Sequence, residues 1–151
     1  THAFDNNGAK FDENGNAADW WTPEDYNTFN ELCADMIAFY DGGEGIPGIP
    51  MNGTLTLSEN IADQGAVQCI TEIESRRESP DFKTLYTSFA KCMAATTTRA
   101  YAQYAATFDY HSDAKLRVNR CVVNCPEFYE AFSITENDGM WVAPENRVRV
   151  W

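Results

Sequence analysis

Residues 42–53 read GGEGIPGIPMNG, and neither a helix nor a regular strand can run through them. The prolines lack the N–H that either ladder needs, and the glycines favour turns over regular structure. The chain is therefore cut into helical stretches that must meet across a Gly/Pro loop. Upstream of it, Thr22 suits an N-cap, Pro23 the first helical position, and Glu24 and Asp25 complement the helix dipole. Tyr26, Phe29, Cys33, Met36, Ile37 and Tyr40 then recur at helical spacing until Gly42 and Gly43 stop them. Downstream, Leu57, Ile61, Ala66, Ile70 and Ile73 mark a second helix that ends in the charged ESRRES.

The remaining segments read less cleanly. Ser79 and Pro80 open a third helix with Phe82, Leu85, Phe89 and Met93 on one side; lacking a breaker, it is predicted to run to Ala106 despite three threonines. DYHSDAKLRVNRCVVN reads as a loop with a short segment, and Pro126 opens a short helix carrying Phe128 and Phe132. The tail GMWVAPENRVRVW is extended and apolar, so it is expected to dock on the core. The first twenty residues, rich in Asn, Asp and Gly, read as irregular and turn-laden. The predicted fold is mainly α, one domain of several helices with long irregular loops.

Charge and cysteine usage narrow the function classes. With 23 acids against 11 Lys plus Arg, the net charge is −12, which repels a phosphate backbone and argues against nucleic-acid binding. No apolar run is long enough to span a bilayer, and THAFDNNG has neither the basic nor the apolar part of a signal peptide. Cys33, Cys69, Cys92, Cys121 and Cys125 are odd in number and lack C-x-x-C spacing. Cys33, Cys69 and Cys92 fall on apolar helix stripes and read as reduced core thiols, which favours a reducing, cytoplasmic compartment. Calcium is a poor fit to DNNGAKFDENGNAAD: counted from Asp5 the sixth loop position is Lys10, and from Asp12 it is Ala17, where an EF-hand needs Gly.

Glu59 and Asp63 pose a sharper question. Four residues apart, they share one face of the second helix. Thr56 and Glu59 have the spacing of a capping box, so a solvated helix start is one reading. A chemical role for the two carboxylates is the other.

Several segments, in order, favour chemistry. HAFDNNGAKFDENGNAADWW opens the chain, ENIAD carries Glu59 and Asp63, and HSDAKLRVN, CPEFYEAF and RVRVW follow. Together they resemble the neprilysin family of zinc metallopeptidases, which includes endothelin-converting enzymes and bacterial oligopeptidases. In that family H-E-x-x-H runs into H-x-F-D-x-x-G, an E-N-I-A-D helix follows, and H-S-P-G-x-x-R, P-E-F-x-x-A-F and R-V-W come later.

The resemblance implies the C-terminal part of a zincin-type (gluzincin) peptidase domain over residues 1–151. It implies that His2 is the second histidine of H-E-x-x-H and a Zn²⁺ ligand, and that Glu59 is the third protein ligand. Asp63 resembles the acid that holds a zinc-ligand histidine, His111 the histidine that stabilises the tetrahedral intermediate, and Arg117 the arginine that contacts a substrate carbonyl. The first zinc histidine, the general-base Glu and the helical N-terminal domain are then expected upstream of Thr1, as a missing part of the same protein. Asp113 and Ala114 replace Pro-Gly after His-Ser, and Val148 stands where animal enzymes carry a cysteine. The implied function is zinc-dependent hydrolysis of oligopeptides by the full-length protein, with this chain alone inactive. The rival is a non-catalytic structural or binding domain that keeps the fold.

Overall fold

Thr22 caps the first helix as its sequence predicts, with its side chain accepting from the Asp25 backbone N–H and Pro23 at the first helical position. In the computed structural model, which describes residues 2–150, six α-helices follow two short 3-10 turns at His2–Phe4 and Gly8–Lys10. They are α1 (Pro23–Tyr40), α2 (Leu57–Ser75), α3 (Phe82–Met93), α4 (Arg99–Phe108), α5 (Ala114–Val122) and α6 (Pro126–Phe132). A third 3-10 turn, Pro144–Asn146, interrupts the tail, and among the described residues there is no extended sheet.

The core has two halves, joined by α2. Phe29, Cys33, Met36 and Tyr40 of α1 pack with Ile49, Met51, Leu57 and Ile61 in the first half. Val67 of α2 packs with Tyr86, Cys121, Val122, Phe128 and Tyr129 in the second. The Gly/Pro loop between α1 and α2 folds back on itself, with Gly42 N–H donating to Met51 and Met51 N–H to Gly43. Gly53 lies so close to α1 that a Cβ there would sit 2.2 Å from the Ile37 carbonyl oxygen, so only glycine lets α2 start against α1.

Several expectations need correction. Thr56 is the residue before α2, but its hydroxyl does not cap it and no capping box forms; it donates to the Asn52 carbonyl and accepts from Asn60. The third helix is capped by Asp81 rather than opened by Ser79 and Pro80. It also stops at Met93: residues 94–98 are non-helical, and Thr98 caps a separate α4 by accepting from Tyr101 N–H. A run of β-branched threonines favours extended backbone, and a threonine placed at its end supplies the next cap. The segment read as mostly loop contains α5, capped by Asp113 through the N–H groups of Lys115 and Leu116. All five cysteines are free thiols, but only Cys33, Cys121 and Cys125 are buried. Cys69 and Cys92 are exposed and are not core thiols.

The tail docks as expected. Val150 is buried, and two side chains serve as its pairing partners in place of a neighbouring strand. The Gln64 amide donates to the Val148 carbonyl and accepts from Val150 N–H, while Asn124 accepts from Val148 N–H. No helix among the described residues is long and apolar enough to cross a membrane.

Candidate active site

Glu59 lies in the first turn of α2, which grips the core through Leu57 and Ile61 and leaves Glu59 at the rim. Two imidazoles converge on one of its oxygens. Nε2 of His2 is 3.4 Å and Nε2 of His111 is 3.2 Å from Oε2 of Glu59. The sequence separates these three residues widely; α2, the opening 3-10 turn and the link between α4 and α5 bring them together.

Each ring is held from behind by a carboxylate. Nδ1 of His2 is 2.8 Å from Oδ2 of Asp5, and Nδ1 of His111 is 2.8 Å from Oδ1 of Asp109. An ionised carboxylate only accepts, so both Nδ1 atoms carry the proton and both Nε2 atoms face Glu59. Asp5 is itself fixed, because its other oxygen accepts from Asn7 and Gly8 N–H at 2.7 Å. Asp109 also accepts from the His111 backbone N–H, and these bonds to His111 hold its carboxyl below the usual carboxylate range.

One turn beyond Glu59, Asp63 grips Arg117 of α5 in a two-point pair, with Nε and Nη2 at 2.6 and 2.8 Å from its oxygens. The bond to Asp63 raises the guanidinium above its ordinary range, with burial opposing it. The structure thus unites His2, Glu59 and His111 at one point and Asp63 with Arg117 beside it. The carboxylate behind His2 is that of Asp5. The sequence reading missed Asp5 and Asp109, although both had a signal: an acid three residues after His2 and another two before His111, each within reach of its own ring.

Zinc bonds of about 2.0–2.1 Å at a tetrahedral angle put two ligand atoms about 3.3 Å apart, which the 3.4 Å between His2 Nε2 and Glu59 Oε2 matches. Neutral imidazole and carboxylate are suitable zinc donors, and a carboxylate behind the ring is the usual support for such a histidine. Among the described residues no group of three His, Cys, Asp or Glu side chains is arranged to hold a metal ion. The residues present fit part of a zinc site.

A cavity of about 480 Å³ opens beside His111. Ile46, Ile49 and Met51 of the Gly/Pro loop form one wall, and Ala102, Ala105 and Ala106 of α4 form the other. Arg99 ties the two walls by donating to the Pro47 carbonyl at 2.9 Å.

Comparison with known proteins gives these residues a context. The sequence profile described as peptidase family M13 matches residues 1–148. A neutral endopeptidase of Lactococcus lactis subsp. cremoris is 42% identical over 151 residues, covering all of this chain and 24% of the relative. Neprilysin of Oryctolagus cuniculus is 31% identical over 166 residues, covering all of this chain and 22% of the relative. The crystal structure of PepO from Lactobacillus rhamnosis HN001 superposes with a TM-score of 0.89 at 39% identity, over 97% of this chain and 23% of that one. The Mycobacterium tuberculosis zinc metalloprotease Zmp1, in complex with inhibitor, gives 0.88 at 30% identity, over 98% and 25%. The chain spans about a quarter of the length of the relatives it matches.

Proposed function

The chain belongs to peptidase family M13, and from that premise we propose that residues 1–151 form the C-terminal portion of a zinc-dependent endopeptidase acting on oligopeptides. The observation that carries this reading is the convergence of two carboxylate-backed imidazoles on Glu59. A capping-box role for Glu59 finds no support, because the Thr56 side chain makes no cap bond.

His2 and Glu59 would hold the metal. Asp5 keeps the His2 proton on Nδ1, so that Nε2 offers its lone pair. Bound zinc supplies a Lewis acid that polarises the scissile carbonyl and makes water nucleophilic near neutral pH. His111, with Asp109 accepting at Nδ1, can carry a second proton at Nε2 and donate it to the oxygen that gains negative charge. Arg117, fixed by Asp63, offers its other guanidinium N–H groups to a substrate backbone carbonyl. The apolar cavity beside His111 suits a substrate side chain.

Two donors do not close a zinc site, so a further ligand and a proton-accepting carboxylate have to come from outside these 151 residues. The 151-residue chain by itself is accordingly expected to be inactive. The test is zinc content and peptide hydrolysis of the full-length protein carrying Glu59→Gln or His111→Ala. Glu59→Gln should lose both metal and activity, because a neutral amide is a poor zinc ligand. His111→Ala should keep its zinc and lose about 10²–10³ in kcat. Full activity in Glu59→Gln would defeat the assignment of Glu59 as a zinc ligand, and a full-length parent that hydrolyses no peptide would leave a non-catalytic domain of the same fold.

A further inference from the structure

A line of buried side-chain hydrogen bonds runs from the start of α2 to the link that carries His111. The Thr56 hydroxyl donates to the Asn52 carbonyl at 3.1 Å. Asn60 Nδ2 donates to that same hydroxyl oxygen at 2.9 Å, and Ser112 Oγ donates to Asn60 Oδ1 at 2.8 Å. Thr56, Asn60 and Ser112 are 2%, 0% and 4% exposed, so water does not compete for the two bonds among them. The direction is determined throughout: the Asn52 carbonyl can only accept, which fixes the Thr56 proton, orients the Asn60 amide and leaves its oxygen for Ser112.

Asn60 is the residue after Glu59, and Ser112 is the residue after His111. A single bond between these neighbours therefore fixes the separation of the two site residues themselves. We infer that the Asn52–Thr56–Asn60–Ser112 relay is a positioning device that holds His111 Nε2 against Glu59. Asn60 and Ser112 are positioning residues, acting through the side chains beside them. The inference rests on the peptidase reading for its kinetic consequence but not for its structural one. It also explains why Thr56 forgoes its cap: the hydroxyl oxygen that would accept from a helix N–H accepts from Asn60 instead.

The experiment uses full-length protein with Ser112→Ala, alone and combined with His111→Ala, with Ser112→Thr as the variant that keeps the hydroxyl. Ser112→Ala should bind zinc as the parent does, keep KM within about twofold, and lose about ten- to a hundredfold in kcat, the scale of a displacement near 1 Å at a reacting group. Ser112→Thr should recover most of that loss. In the His111→Ala background, Ser112→Ala should cost nothing further in kcat, because a positioning residue has nothing left to position. A crystal structure of Ser112→Ala should show the His111–Glu59 separation widened from the present 3.2 Å. An unchanged kcat, a full additional loss without His111, or an unchanged separation would each overturn the inference. If the parent hydrolyses no peptide, the peptidase reading fails, and the crystallographic separation still decides the relay.

Discussion

Asp63 carries the tightest two-point ion pair beside the site. Both of its oxygens are engaged by Arg117, and the two side chains are 12% and 23% exposed. Removing one partner from such a pair leaves the other charge partly buried and unpaired. Asp63→Asn should therefore lower stability by about 1–3 kcal/mol, read as a denaturation midpoint in the metal-free protein. An unchanged midpoint would show the pair to be solvated. The thiols give a second prediction at this scale. Burial pushes Cys33 up to about 11 and Cys121 up to about 12, from an ordinary 9.0. An unfolded thiol releases its proton near 9 while the folded one keeps it, so the unfolded state binds fewer protons and stability falls as pH rises from 9 towards 12. Native protein alkylated near pH 8 should take label at Cys69 and Cys92, and at Cys33, Cys121 and Cys125 only after unfolding. Fast native labelling of Cys121 would contradict this.

At the scale of elements, α5 carries Arg117, and Asp113 sets its first turn. Gly45 presses against that cap, and a Cβ there would sit 1.7 Å from an Asp113 oxygen. Asp113→Ala should cost about 1 kcal/mol in folding and lower kcat more than zinc content, because α5, which carries Arg117, loses its cap while α2, which carries Glu59, does not. Gly45→Ala should produce the same two effects without touching the cap chemically. Zinc loss matching the loss of kcat would place the damage at α2 instead. The elements also mark how far the sequence could be read. α1 and α6 were legible because each has Pro at its first helical position. α5 was not: DYHSDAKL hides an Asp N-cap among turn residues, and its buried positions, Leu116, Cys121 and Val122, make a weak stripe. The break between α3 and α4 was obscured because AATTTRA has neither Gly nor Pro, and the distinction between Thr as poor helix former and Thr as cap depends on the backbone. Of the site, His2, Glu59, His111, Asp63 and Arg117 came from motif resemblance. Asp5 and Asp109 needed the fold, since proximity in sequence does not tell a ring support from a turn former.

At the scale of the whole molecule, the two core halves are joined by α2, which also carries Glu59, Asn60, Asp63 and Gln64 in succession. The tail closes on that helix through Gln64 and on the turn after α5 through Asn124. Gln64→Leu removes both side-chain bonds to residues 148 and 150 and should cost about 1–3 kcal/mol, with tail backbone groups left unpaired. Hydrogen exchange at Val150 should rise before exchange in α1 does, and equal acceleration in both would mean that α2 itself had shifted.

The clamp formed by Gln64 has a consequence in time. A ribosome delivers Gln64 long before the tail it holds, since its two partners lie 84 and 86 residues further along the chain. Until those residues emerge, the helix that bears Glu59 presents an amide without its native partners, and a nascent chain arrested short of Arg147 should remain open to proteases along α2. Acquisition of a rigid face around Glu59 is thereby tied to the completion of translation through this region.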